Sequence, residues 1–140
     1  MEFEQVSSQE ALDRLIEAVN WEHAFFREIY LLSPSFVYPD GGCTYSADAK
    51  PNIAALLVTF DSNYPALEFR FTEVSCCQLS FVCDAKPEKL VRPALGDDLE
   101  LHFGLGGLIR VRSIKYRVIP RESAYGNRIR YGKYWDELFV

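Results

Sequence analysis

The sequence has no basic excess, no long apolar run and only two histidines. Its 15 Lys and Arg face 20 Asp and Glu, a formal charge of -5. An acidic surface repels a polyanion, which disfavours nucleic acid as a partner for the surface as a whole. The longest apolar run is Ile53-Ala54-Ala55-Leu56-Leu57-Val58, far shorter than the roughly 20 residues a bilayer span requires. No membrane association is therefore expected. The N-terminal Met1-Glu2-Phe3-Glu4 is acidic and lacks the basic and apolar regions of a secretory signal. The expected location is the cytoplasm, where thiols stay reduced.

Chemical motifs are also missing. The four cysteines, Cys43, Cys76, Cys77 and Cys83, contain no C-x-x-C pair. Adjacent Cys76 and Cys77 would point to opposite faces of a strand, a poor arrangement for one metal ion. Buried, inert thiols are the simpler reading. Gly104-Leu105-Gly106-Gly107 lacks the spacing of a phosphate loop and precedes a strand pattern, so it reads as a hairpin turn. There is no nucleophile elbow. His102 falls on the polar side of an alternating strand, and His23 at a helix-to-strand corner, where a hydrogen bond or packing on Trp21 is expected. No catalytic residue, metal ligand or cofactor is assigned.

What is present suits one domain, residues 1–140. Hydrophobic residues make up 49% and aromatics 14%, enough for a packed core and incompatible with disorder. One helix is legible. Ser7 and Glu10 fit a capping box, and Leu12, Leu15, Ile16 and Val19 follow a helical stripe. Strand patterns follow: residues 24–32, 53–60, 67–72, 78–81, 99–103 and 108–119, separated by turns such as Pro39-Asp40-Gly41-Gly42. Residues 84–98 read as a loop with room for a short helix. A change of parity among the basic residues between Arg112 and Lys115 predicts a bulge near Ser113. Together these predict an α+β fold: an antiparallel, strongly curled sheet of about six strands with one N-terminal amphipathic helix.

Charge is unevenly distributed. Residues 108–133 hold eight basic residues against one acid, a net of +7, whereas residues 1–107 carry -10. Arg110, Arg112, Lys115, Arg117, Arg128 and Arg130 could form a basic stripe with interleaved aromatics, suited to a nucleic acid or an anionic small molecule. Cross-strand ion pairing is the more economical account. The acidic remainder would instead steer a basic protein partner. Glu68, Glu73, Asp97, Asp98 and Glu100 are the candidate contact acids. Apolar residues on both faces of several strands also leave room for a homo-oligomer.

The run Trp21-Glu22-His23-Ala24 leads from a short helix into the strand ending at Leu32. Together with the small sheet-forming layout, it resembles small uncharacterised bacterial proteins of the toxin-immunity type. That resemblance implies a small cytosolic protein that neutralises a toxin by binding it. The expected function is therefore non-enzymatic protein binding. Small-molecule or nucleic-acid binding through the basic stripe is the alternative, and an enzyme with an unrecognised site is the third.

Overall fold

A computed structural model describes residues 2–33, 36–37, 39–44, 49–79, 85–93 and 96–120. Strand β1 (Glu4–Gln5) precedes the helix α1 (Gln9–Ala18). Ser8, rather than Ser7, caps the helix, accepting the Ala11 N–H at 3.1 Å. The cap lies one residue later than the capping box predicts. Glu10 therefore sits too early to reach back, and pairs with Arg14 at 3.1 Å. Leu12 and Leu15 are buried as the stripe predicts. At the far end the Trp21 indole N–H donates to the Ile16 carbonyl at 2.9 Å, satisfying one carbonyl of the last turn.

Ten strands follow: β2 (Phe25–Leu32), β3 (Phe36–Val37), β4 (Cys43–Thr44), β5 (Asn52–Val58), β6 (Ala66–Thr72), β7 (Cys76–Gln78), β8 (Pro87–Val91), β9 (Leu99–Phe103), β10 (Leu108–Val111) and β11 (Ser113–Ile119). All pairings are antiparallel. The expected mixture of one helix and antiparallel sheet is present. The strands are divided, however, between two larger sheets rather than one curled sheet of six. The first has the order β1-β11-β6-β5-β2, the second β7-β10-β9-β8, and β3 pairs with β4.

Two chain segments pass from one sheet to the other side by side. The run of residues 108–119 is not one bulged strand. It breaks at Arg112, and β10 and β11 belong to different sheets. Beside it, β6 passes into β7 through Glu73, whose φ of 50° lies in the left-handed region. The bend is held by Arg112 N–H on the Thr72 carbonyl (2.9 Å), Ser75 N–H on the Arg110 carbonyl (2.9 Å) and Val74 N–H on the Pro51 carbonyl (2.8 Å). Strands that switch sheets at such bends form the corners of packed β structures.

One apolar cluster joins both sheets and the helix. It includes Leu12 and Leu15 from α1, Ile53, Ala55 and Leu57 from β5, and Leu67, Phe69 and Phe71 from β6. From the second sheet come Leu99, Leu101, Phe103, Ile109 and Val111. The Phe69 and Phe71 rings stack at 5.8 Å. This face of the first sheet is its inner face. The outer face carries a second apolar group of Leu56, Val58, Ala66 and Ile119.

Two further expectations change. Residues 87–91 form β8, an edge strand, where a loop or short helix was expected. Pro87 takes the first position, where a missing N–H disturbs no ladder. The alternation of residues 67–72 suggests a half-buried strand, yet β6 is the middle strand of its sheet and is buried on both faces through Phe69. The Gly104-Leu105-Gly106-Gly107 turn does join a hairpin, β9 to β10, with Phe103 N–H on the Gly107 carbonyl at 2.8 Å.

Candidate functional site

Cross-strand partners share a face of a sheet, so register alone sets out the outer face of the first sheet. One row holds Glu28, Leu56, Glu68 and Arg117, and the next holds Tyr30, Ala54, Arg70, Lys115 and Gln5. Glu68 is fully buried. Arg117 Nε donates to it at 2.9 Å and Arg70 Nη2 at 3.5 Å. Its charge is therefore matched within the fold and not presented to a partner, a correction to its place among the contact acids. Phe3 lies over this group, with Arg70, Lys115 and Arg117 within 4.6 to 4.9 Å of its ring centre. Cations stacked on a ring face gain from its quadrupole.

The other four candidate acids gather near the bend between the sheets. Arg110 on β10 faces Glu100 on β9 as its register partner. Its Nε donates to the Glu100 carboxylate at 2.7 Å, and its Nη2 meets the same oxygen. His102 Nε2 lies 3.3 Å from the other Glu100 oxygen. Arg110 holds the Glu100 carboxyl below its ordinary range, with His102 a lesser contributor. Arg112 pairs with Asp97 at 3.3 Å, and the Ser75 hydroxyl donates to Asp98 at 3.3 Å. Glu73 is exposed at the bend, with its N–H on the Asn52 side chain at 3.0 Å.

The basic stripe is thus divided. Arg110, Arg112 and Arg117 each meet a carboxylate, and the first two lie on a different sheet or bend from the third. Lys115 has no carboxylate within ion-pair distance among the described residues. Arg128 and Arg130 lie outside the described residues.

His23 has a left-handed φ of 63° and sets its ring edge-on to Phe60, with centroids 6.1 Å apart, rather than on Trp21. Cys77 is exposed and Cys76 half-buried, because β7 is an edge strand, so the buried-thiol reading does not hold for Cys77. Cys83 and the Cys43 side chain lie outside the description. Among the described residues no group of three or more His, Cys, Asp and Glu could hold a metal ion. No described helix is long and apolar enough to cross a membrane.

The edge strand β2 is the surface the sequence did not single out. Leu31 is 69% exposed, Phe25 47% and Ile29 46%. Phe60, just beyond the neighbouring β5, is 70% exposed. Ile29 and Leu31 pair with Ala55 and Ile53 and so belong to the inner face, but the second sheet does not cover them. Carboxylates border the aromatic end. Glu22 lies 3.6 Å from His23, and Asp61 follows Phe60. Asp61 accepts the Asn20 N–H at 2.8 Å and the Asn63 N–H at 2.9 Å, which hold its carboxyl below the ordinary range. The strand over residues 24–32 was legible, but not that a register shift between Phe26 and Glu28 sets Phe25 on the opposite face from Ile29 and Leu31, nor that this strand would lie at the edge. No family model, curated protein or solved structure matches the chain, so its function is argued from its own residues.

Proposed function

We propose that this chain is a non-enzymatic protein-binding domain that docks a basic partner along β2. An immunity protein acting in the cytoplasm is one form of that reading. The observation that carries it is the set of exposed apolar side chains on and beside a sheet edge, Ile29 and Leu31 on the inner face of β2, Phe25 on its outer face and Phe60 just beyond β5. A long apolar edge strand offers backbone hydrogen bonds and side-chain pockets to an incoming chain. Glu22 and Asp61 at its aromatic end, and the overall charge of -5, favour a partner of opposite sign. Asp97, Asp98 and Glu73 form a second acidic region, but Arg112 partly offsets it. The ion pairs of Arg110, Arg112 and Arg117 weigh against a nucleic-acid stripe.

The test uses the purified product of the adjacent reading frame, with affinity measured at low and high salt. Leu31→Asp should weaken binding about tenfold or more, the loss typical of a disrupted contact centre. The variant should keep its fold, since the side chain is exposed. High salt should weaken binding of the unaltered protein. Equal affinity for Leu31→Asp, or binding indifferent to salt, would overturn the proposal. Light scattering supplies the remaining outcome. A dimer mass that Leu31→Asp returns to monomer would assign the edge to a second copy and refute the basic partner.

A further inference from the structure

Beyond the ion pairs, the outer face of the first sheet holds a hollow of about 70 Å³. Its lining includes Leu32, Asn52, Ala54, Arg70, Thr72 and Lys115. We propose that this hollow binds a small oxyanion, the phosphate or carboxylate group of a ligand. The proposal is independent of the β2 edge.

Register explains why the hollow exists. Ala54 stands between Tyr30 and Arg70 in its row. A methyl group there leaves a low floor where a larger side chain would fill the face. The volume exceeds several-fold the ~10–15 Å³ needed for one water.

The lining chemistry is one-sided. Arg70 and Lys115 are direct cross-strand partners of like charge, an arrangement that destabilises a sheet unless something intervenes. Phe3 covers both cations at 4.9 Å, and Arg70 is offset in part by the Glu68 carboxylate at 3.5 Å, so Lys115 supplies most of the positive charge facing the hollow. Lys115 has no carboxylate partner among the described residues. Asn52 accepts the Glu73 N–H through Oδ1, which leaves its amide NH2 as a donor. The Thr72 hydroxyl, in contact with that of Ser113, adds another polar group at the rim. Among the described residues no acid lines the hollow. Two cations, an amide and a hydroxyl around one small space complement an oxyanion, since charge-assisted hydrogen bonds are the strongest of their kind.

The experiment is an amide NMR titration of the full chain with inorganic phosphate and, separately, acetate. Saturable shifts of the Asn52, Thr72 and Lys115 amides are expected with at least one anion. Saturation by phosphate alone identifies a phosphoryl ligand, and saturation by both extends the site to carboxylates. Lys115→Gln should weaken binding about tenfold or more, as expected for loss of one charged hydrogen bond. Lys89→Gln, on β8 of the second sheet, should bind as the unaltered protein does. The same spectra report whether each variant is folded. No saturable shift with either anion, unchanged affinity in folded Lys115→Gln, or equal weakening in Lys89→Gln would each overturn the proposal.

Discussion

Replacing Glu68 with leucine would remove a buried carboxylate that both Arg70 and Arg117 contact. Glu68 is fully buried, and the two arginine side chains are only 17% and 12% exposed. Neither guanidinium can fully regain water without moving the strand that carries it. Removing one partner of a buried ion pair typically costs about 3–5 kcal/mol, because the remaining charge stays buried without its match. With a urea m-value of ~2 kcal/mol/M for a domain of this size, the unfolding midpoint should fall by about 2 M. The double variant Glu68→Leu/Arg117→Leu removes both members of the closer pair, and an apolar replacement of a buried pair is often near neutral. It should therefore be more stable than Glu68→Leu alone. Urea unfolding followed by tryptophan fluorescence measures the unaltered protein, Glu68→Leu, Arg117→Leu and the double variant. A midpoint shift below about 0.5 M for the single variant, or a double variant whose loss equals the sum of the two singles, would refute the buried-pair reasoning.

Two further changes have clear signs. Asp61 has its folded carboxyl held low by the Asn20 and Asn63 amides, so its contribution is present above the ordinary carboxylate value of 3.8 and fades as pH falls through the lower folded value. Asp61→Asn should thus melt below the unaltered protein near neutral pH, with the gap closing in acid; a gap that stays constant would contradict the assignment. Leu105 adopts φ 59° and ψ 32° while 80% exposed, a left-handed conformation that costs a branched residue roughly 1–2 kcal/mol. Leu105→Asn, which tolerates that conformation, should raise thermal stability by roughly 0.5–1 kcal/mol, and a lowered melting temperature would count against the strain.

Local chemistry was legible where a residue's neighbours in sequence decide its state. The helical stripe of Leu12, Leu15 and Val19, the turn at Asp40-Gly41 and the glycine hairpin before Leu108 all follow from short-range rules. The errors share one cause. Glu68 and Arg70 alternate with Leu67, Phe69 and Phe71 as solvent-facing residues would. The alternation states which residues share a face but not whether that face is covered. The same limit hid Ile29 and Leu31, apolar and inward by register yet beyond the reach of the second sheet. The parity change at Arg112 was visible, but a bulge and a passage between sheets leave the same trace in a sequence. Ion pairing of the basic strand was legible in outline because acids and bases alternate at matching parity. The pairing of Arg117 with Glu68 needed the β6–β11 register.

The passage at Arg112 and Glu73 has a consequence for how the protein comes apart. The paired strands β6–β11 and β7–β10 are continuous through the bend, so each sheet is anchored in the other by two covalent links lying side by side. Neither layer can peel away without breaking the ladder at the bend first. Amides of Val74, Ser75 and Arg112, although close to the surface acids, should then exchange with deuterium only in the same global opening that releases Phe69 and Ile109. Such exchange would make the bend the point where two layers behave as a single cooperative unit.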